Sequence, residues 1–353
     1  MHVQVKQPDS LSESDLTTWA RLASSSVEFS SPYFHPQFTG DVASVRSDVE
    51  VAVCYDSGQP IWFFPYQRSG QTARPVGGML SDAHGLIHDG RQSWSWPGVL
   101  KACGLSSWDY HYKVAAQIPF AEWRPDVAAA AVMNLQGGFE NYTTRLVSKS
   151  IIKQTDRKAR KLERELGPLR FEWNCDDDYA FDLLRKWKSQ QYRDSDIADV
   201  FEFEWTVKLL KRIRQHSSRD YEGLFSVLYV DEQPAAVHFG LRAGSVLHQW
   251  FPAYDPGLNS YSPGTIHLLE MARHADSHGI ERIDLGRVCH YKSRVATDLV
   301  DVAAGCIDLR PVNRMLKTGY AETVGWLKQS PLHNVARIPG RFLRRLAEQR
   351  RFK

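Results

Sequence analysis

Several short stretches place residues that can move protons or hold charge. Ser81-Asp82-Ala83-His84-Gly85 sets a carboxylate and an imidazole two positions apart, and an Asp beside a His raises the basicity of the ring. His238 and His248 flank a turn at 242–245. A three-residue turn would make them direct cross-strand neighbours, and a two-residue turn would put His248 opposite Phe239. Tyr254 and Asp255 end the segment that carries His248, and His290-Tyr291-Lys292 follow a later apolar run. Together these supply bases (His84, assisted by Asp82, His238, His248, Asp255) and acids (Tyr254, Tyr291). Transfer of an acyl group from a thioester needs such a set: a base for the acceptor's proton, a donor for the oxyanion and an acid for the leaving thiolate. His35 and Arg68 are lesser candidates for acceptor contacts.

The donor requires a place for its phosphates. In FPAYDPGLNSYSPGTIHLLEMARHADSHGI (251–280) an aromatic segment breaks and a helix opens on Ser262-Pro263-Gly264-Thr265. Proline is tolerated in a first turn, glycine allows close approach, and the exposed N–H groups carry partial positive charge. Phe251, Ser262, Gly264, Thr265 and Lys292 are therefore the residues expected to hold a phosphate-bearing donor. A broken strand beside them would let an extended amide-containing ligand pair as an added strand. Pantetheine joined to a pyrophosphate, as in coenzyme A, has that form. The plainer reading is that Ser262 caps a core helix, and that Asp255 only initiates the turn before Pro256.

Other chemistries are disfavoured. No Gly-x-Ser-x-Gly elbow is present. His267, His274 and His278 share a helix-like stretch, but no Glu follows His274 as a zinc protease would need, so no metal is expected. The five cysteines are scattered and none pair as Cys-x-x-Cys, which suits a reducing compartment. No apolar run reaches the ~18 residues of a spanning helix. The expectation is a soluble cytoplasmic protein. Net charge is +3, yet the stretch 337–353 holds seven Lys/Arg against one Glu, with Phe342, Leu343 and Leu346 at helical spacing. That tail suits a peripheral contact with an anionic membrane. The basic stretch 144–165 lacks aromatic stacking residues, so nucleic acid is not expected as a partner.

The positioning elements follow from periodicity. A helix is expected at 11–23, capped by Ser12 or Ser14. A hairpin follows over 49–66, turning at Asp56-Ser57-Gly58. Then come a Gly-rich segment, a helix near 95–103 and strand-like runs at 114–120 and 129–135. A charged helix spans 144–165, stopped by Gly167-Pro168. Beyond it the order is β, α, α, β, β, β, α, β, with strands at 225–230, 235–241, 246–251 and 282–285. The first half offers a poorer version of the same order, which hints at duplication. With 353 residues, two domains of mixed α/β type are the default.

The segment AAVHFGLRAGSVLHQWFPAYDPGLNSYSPGTIHLLEMARHADSHGIERIDLG resembles the acyltransferase domain of the GNAT superfamily. More narrowly, with KARKLERELGPLRF, SPYFHPQFT and LSDAHGLI, it resembles the branch of CelD/BcsL-like proteins of cellulose biosynthesis. It departs from the best-known GNAT phosphate loop, offering one glycine over 261–265. The resemblance implies two GNAT-like domains in a Fem-like tandem: 1–143, then 144–310 with the donor site, then a helical basic tail at 311–353. It implies an acyl-CoA-dependent acyltransferase, with an acyl carrier protein as the other possible donor. The acceptor would be an amine or hydroxyl of a saccharide or lipid precursor in envelope or exopolysaccharide synthesis. A non-catalytic accessory of a polysaccharide synthase, a sphingoid-base N-acyltransferase and a Fem-like aminoacyl transferase are the alternatives.

Overall fold

A computed structural model describes residues 1–316 except Gln92, Ala115, Ala116, Ile118 and Arg124. The basic tail at 337–353 and three residues of the expected 114–120 strand lie outside the described residues. The strands are β1 His2–Lys6, β2 Val49–Asp56, β3 Gln59–Ser69, β4 Thr72–Arg74, β5 Ile87–His88, β6 Ser107–Val114, β7 Asp126–Asn134, β8 Leu169–Glu172, β9 Glu222–Val230, β10 Gln233–Ala243, β11 Val246–Tyr254, β12 Arg282–Arg287 and β13 Asp298–Asp308. The helices are α1 Glu13–Ser24, α2 Pro36–Ala43, α3 Trp96–Ala102, α4 Phe120–Trp123, α5 Gly138–Arg145, α6 Ser150–Leu166, α7 Asp178–Asp194, α8 Glu204–Arg214, α9 Pro263–His274 and α10 Lys292–Val295.

Local chemistry accounts for several of these boundaries. Ser12 caps α1 in a reciprocal capping box with Asp15. The β2–β3 hairpin turns on Ser57 and Gly58, both at positive φ, as a two-residue turn matching strand twist requires. The helix expected over 144–165 is two helices, α5 and α6. Gly167, at φ 119, ends α6. Strands β1, β4, β5, β6 and β13 are not expected from the sequence; the strand expected at 114–120 meets β6 only at Val114, and Phe120 begins α4. Of these, β1 and β13 run along partly exposed positions, so neither shows a buried stripe.

Among the described residues all thirteen strands join one mixed sheet, ordered β1-β2-β3-β4-β6-β13-β7-β12-β11-β10-β9-β8, with β5 beside β3. The two halves repeat one plan. Neighbours β1, β2, β3 and β4 pair antiparallel, and β4 pairs parallel with β6. Likewise β8, β9, β10 and β11 pair antiparallel, and β11 pairs parallel with β12. The last strand of each half crosses over: β7 lies against β12, and β13 lies against β6. The two meet each other at the centre of the sheet.

Strand alternation assigns the faces. On one face, Trp19, Phe38, Phe181 and Leu209 of α1, α2, α7 and α8 pack over Val51, Phe225, Phe239 and Phe251. On the other face, α3 covers Phe64 and Trp108, and α9 covers Leu247 and Ile283. Strand β9 is buried along its whole length because helices cover both its sides, which is why it reads as a continuous apolar run.

Candidate active site

The pairing of β11 with β12 stops early. It covers Val246↔Arg282, Leu247↔Ile283 and His248↔Asp284, while β11 continues to Tyr254 against β10. The strand therefore runs through Pro252 rather than ending there. From Gln249 onward its β12 side has no strand partner among the described residues, so the sheet opens into a gap with His248 and Asp284 at its vertex. Across β12, a bulge shifts the register with β7 between Asp284 and Gly286.

At the vertex the two halves of the sequence meet. His248 Nε2 lies 3.2 Å from Asp82 Oδ2; the imidazole is 4% exposed and the carboxylate 31%. The loop that delivers Asp82 is fixed at several points. Gly77 and Gly78 turn it at positive φ. The Gly77 N–H donates to Gln67, and Trp250 Nε1 donates to the Leu80 carbonyl at 2.8 Å. The Tyr33 ring meets His248 edge-on at 5.0 Å. Gly286, at φ 74, lets the carboxylate in: a Cβ there would stand 2.9 Å from Asp82 Oδ2. Asp82 and His248 thus form a carboxylate–imidazole pair facing a cavity of about 280 Å³.

The expected Asp82–His84 pair is replaced by this one. His84 is buried, and its Nε2 accepts from the His111 amide at 3.2 Å. Neither expected register holds for His238 and His248. The turn is two residues, Gly244-Ser245, which sets His248 opposite Leu241, and a bulge in β11 at 249–250, opposite Gly240, sets His238 opposite Pro252. Alternation then sends the two rings to opposite faces. His238 lies under α9, fully buried, 3.4 Å from Ser226, whose hydroxyl bonds His267 at 3.2 Å. Burial holds the His238 ring far below its ordinary range, so it is a neutral core residue away from the gap. Asp255 is the turn residue of the plainer reading: its Oδ1 accepts from Gly257 N at 2.8 Å. Phe251 is 2% exposed in the core against Phe201, so it is not free to line a donor site.

The mouth of α9 forms the other end of the gap. Ser262 sits at φ 57 and ψ 52 and makes no side-chain cap, contrary to the capping expectation. Its Oγ instead accepts from Lys158 Nζ at 2.6 Å. The Thr265 and Ile266 amides fold back onto the Ser262 carbonyl. Gly264 is needed because the Tyr254 ring lies over it, 3.2 Å from where a Cβ would be. The Tyr254 hydroxyl donates to Asn259. A lysine from α6 thus stands at a helix N-terminus whose Ser262 and Thr265 amides already have backbone partners, so Lys158 and the Gly264 amide are the groups there that favour an anion. Lys158 was not singled out in the sequence; 104 residues separate it from Ser262.

Two further lysines line the gap. Lys292 donates to the Leu285 carbonyl of β12, and Lys188 of α7 donates to the Pro252 carbonyl of β11 at 3.2 Å. Burial lowers both ammonium groups, Lys188 to about 8 with the Lys292 charge adding to the effect. Tyr291 is 42% exposed, and burial of its hydroxyl pushes it up to about 12. It stays protonated at neutral pH, as an acid for a thiolate must. Among the described residues no group of three or more His, Cys, Asp or Glu side chains is arranged to hold a metal, and no helix is long and apolar enough to cross a membrane.

Known proteins share this construction. Residues 149–293 match the family model of the acetyltransferase (GNAT) domain. No curated protein matches the chain. The crystal structure of FemX superposes with a TM-score of 0.59 at 7% identity, over 90% of this chain and 100% of that one. A conserved protein of unknown function from Bacteroides thetaiotaomicron gives 0.53 at 11% identity, over 87% and 100%. The C-terminal domain of a protein named as a lysylphosphatidylglycerol synthetase from Agrobacterium fabrum gives 0.51 at 11% identity, over 82% and 91%. At such identities these likenesses show the fold, and the family model supplies the activity class. The chain is an acyltransferase with a tandem, Fem-like α/β fold, and its residues 149–293 match the GNAT acetyltransferase domain.

Proposed function

We propose that the protein transfers an acyl group from acyl-CoA to an acceptor held between its two halves, with Asp82 and His248 as the base. The observation that carries this reading is the strand gap, which has a carboxylate–imidazole pair at its vertex and a lysine-flanked helix mouth at its far end. The pantetheine arm would lie along the free edge of β11, and the pyrophosphate would meet Gly264, Thr265 and Lys158. The Asp82 carboxylate, 3.2 Å from Nε2, would favour a proton on that nitrogen and leave Nδ1 of His248 to take the acceptor's proton. Lys188 or Lys292 would stabilise the oxyanion, and Tyr291 would protonate the departing sulfur. The resemblance to CelD/BcsL-like proteins supports a place in bacterial envelope or exopolysaccharide synthesis, at the inner face of the membrane.

Calorimetric titration with coenzyme A, followed by detection of free thiol across a panel of acyl-CoAs and acceptors, tests it. Micromolar binding that weakens about tenfold in Lys158→Ala, with thiol release that needs an acceptor, is expected. Absence of binding at millimolar coenzyme A would leave the accessory role or a different donor as the reading.

A further inference from the structure

The cavity beside the Asp82–His248 pair has a marked chemical bias. Three carboxylates line it, Glu28, Asp82 and Asp284, against one cation, Arg282. Arg282 Nε is already bound to Asp284 at 2.6 Å. Asp82 and Glu28 therefore remain as the charges a ligand would meet. Glu28 Oε1 is buried with no hydrogen-bond partner among the described residues, and so is the Tyr112 hydroxyl. Tyr112 also lines the cavity and holds a left-handed φ of 57, rare for a bulky side chain and costly unless its surroundings enforce it. An orphaned, buried carboxylate oxygen costs free energy until something donates to it.

The opposite wall is aliphatic. The central crossover pairs Ala130 with Val300 and Val302 with Ala128, and Ala130, Val132, Val300 and Val302 face the cavity. These side chains offer nothing to a hydroxyl and no aromatic plane for a sugar ring to lie on. At about 280 Å³ the space is near the lower limit of ligand pockets, which run from ~300 to ~1,000 Å³.

We infer that the acceptor is a primary alkyl amine, bound as its ammonium by Glu28 and Asp82 with its hydrocarbon body on Ala130, Val132, Val300 and Val302. The inference rests on reading this cavity as the acceptor site. In the transfer, one proton leaves the ammonium for the Asp82–His248 pair and passes to solvent. The freed nitrogen forms a bond to the thioester carbon as the carbon–sulfur bond breaks, and a second nitrogen proton goes to the sulfur. Amide and free thiol result. Acidic acceptors are turned away by the same carboxylates, and a saccharide hydroxyl, though it can donate to them, would leave their charge uncompensated.

Binding to the full chain, without any donor, tests this separately from catalysis. Calorimetry with propylamine, hexylamine, hexanol and glucosamine at neutral pH should rank hexylamine first. Affinity should rise about fourfold per added methylene until the cavity is full. Glu28→Gln should weaken hexylamine at least tenfold and leave hexanol unchanged. Val300→Ser should narrow the gap between hexylamine and propylamine while both still bind. Equal affinity for hexylamine and hexanol, preference for glucosamine, or an unchanged Glu28→Gln variant would overturn the inference. Amine binding that survives a failure to bind coenzyme A would sink the donor reading alone.

Discussion

Asp82→Asn perturbs the proposed base with the least change of shape. In the wild-type protein the carboxylate stands 3.2 Å from His248 Nε2. When the ring gains the acceptor's proton, opposite charges at that separation attract by about 332/(20 × 3.2), or ~5 kcal/mol, at an effective dielectric of ~20. Asp82 keeps 31% of its side chain in solvent, so screening reduces the net effect toward that of a charge-assisted hydrogen bond, roughly 1.5–3 kcal/mol. The attraction to the ring exists only once the proton has moved, so at saturating acceptor its loss falls on kcat and not on KM for acyl-CoA. Asparagine should lower kcat roughly 10- to 150-fold, with KM for acyl-CoA within a factor of two. Continuous thiol detection under saturating acceptor gives both constants. A kcat within twofold of wild type would refute the assignment of Asp82 to the base, and a matching rise in KM would make it a binding residue.

Gly286→Ala should strike the same pair indirectly: a methyl group 2.9 Å from Asp82 Oδ2, at φ 74, forces the carboxylate aside and strains the backbone. A loss of about 1–2 kcal/mol in urea unfolding and at least a tenfold fall in kcat are expected; retention of both would show that the β12 bulge does not set the site. Acid should destabilise the protein. Burial brings His267 and His35 down to about 4, whereas an unfolded histidine titrates near 6.5. Below pH 6.5 the unfolded chain takes up protons that the folded one refuses, so stability is full above about pH 7 and falls between about 6.5 and 4, by at most ~3 kcal/mol per ring. Urea midpoints at pH 7.5 and 5.0 check this, and His267→Gln should flatten part of the difference; equal midpoints in the wild type would contradict it.

Much of the second half was legible in the residues. The strands β9 to β12 and helix α9 follow from apolar runs and alternation, from a turn within 242–245 and from the proline-marked helix start, all of which act over a few residues. The hairpin on Ser57-Gly58 and the Ser12 cap were readable for the same reason. His248 and Asp82 were each visible as chemistry-bearing residues, but their partnership was not. The sequence favoured His84 because it is two residues away, whereas the loop of 77–85 turns Asp82 outward onto a strand more than 160 residues later. The faces of His238 and His248 were equally hidden, since the length of the turn decides whether the two rings share a side of the sheet, and only the structure shows that turn as Gly244-Ser245. Lys158, Lys188 and Glu28 gain meaning only from what packs against them.

The chain by itself determined the local elements and the acyltransferase resemblance, because turn chemistry, capping and periodicity are short-range. Tertiary structure alone decided that β7 and β13 trade places at the centre of the sheet, and with them the aliphatic wall of the cavity. Pairing between strands far apart in sequence is fixed by which faces must be buried together, and no window of neighbouring residues contains that information.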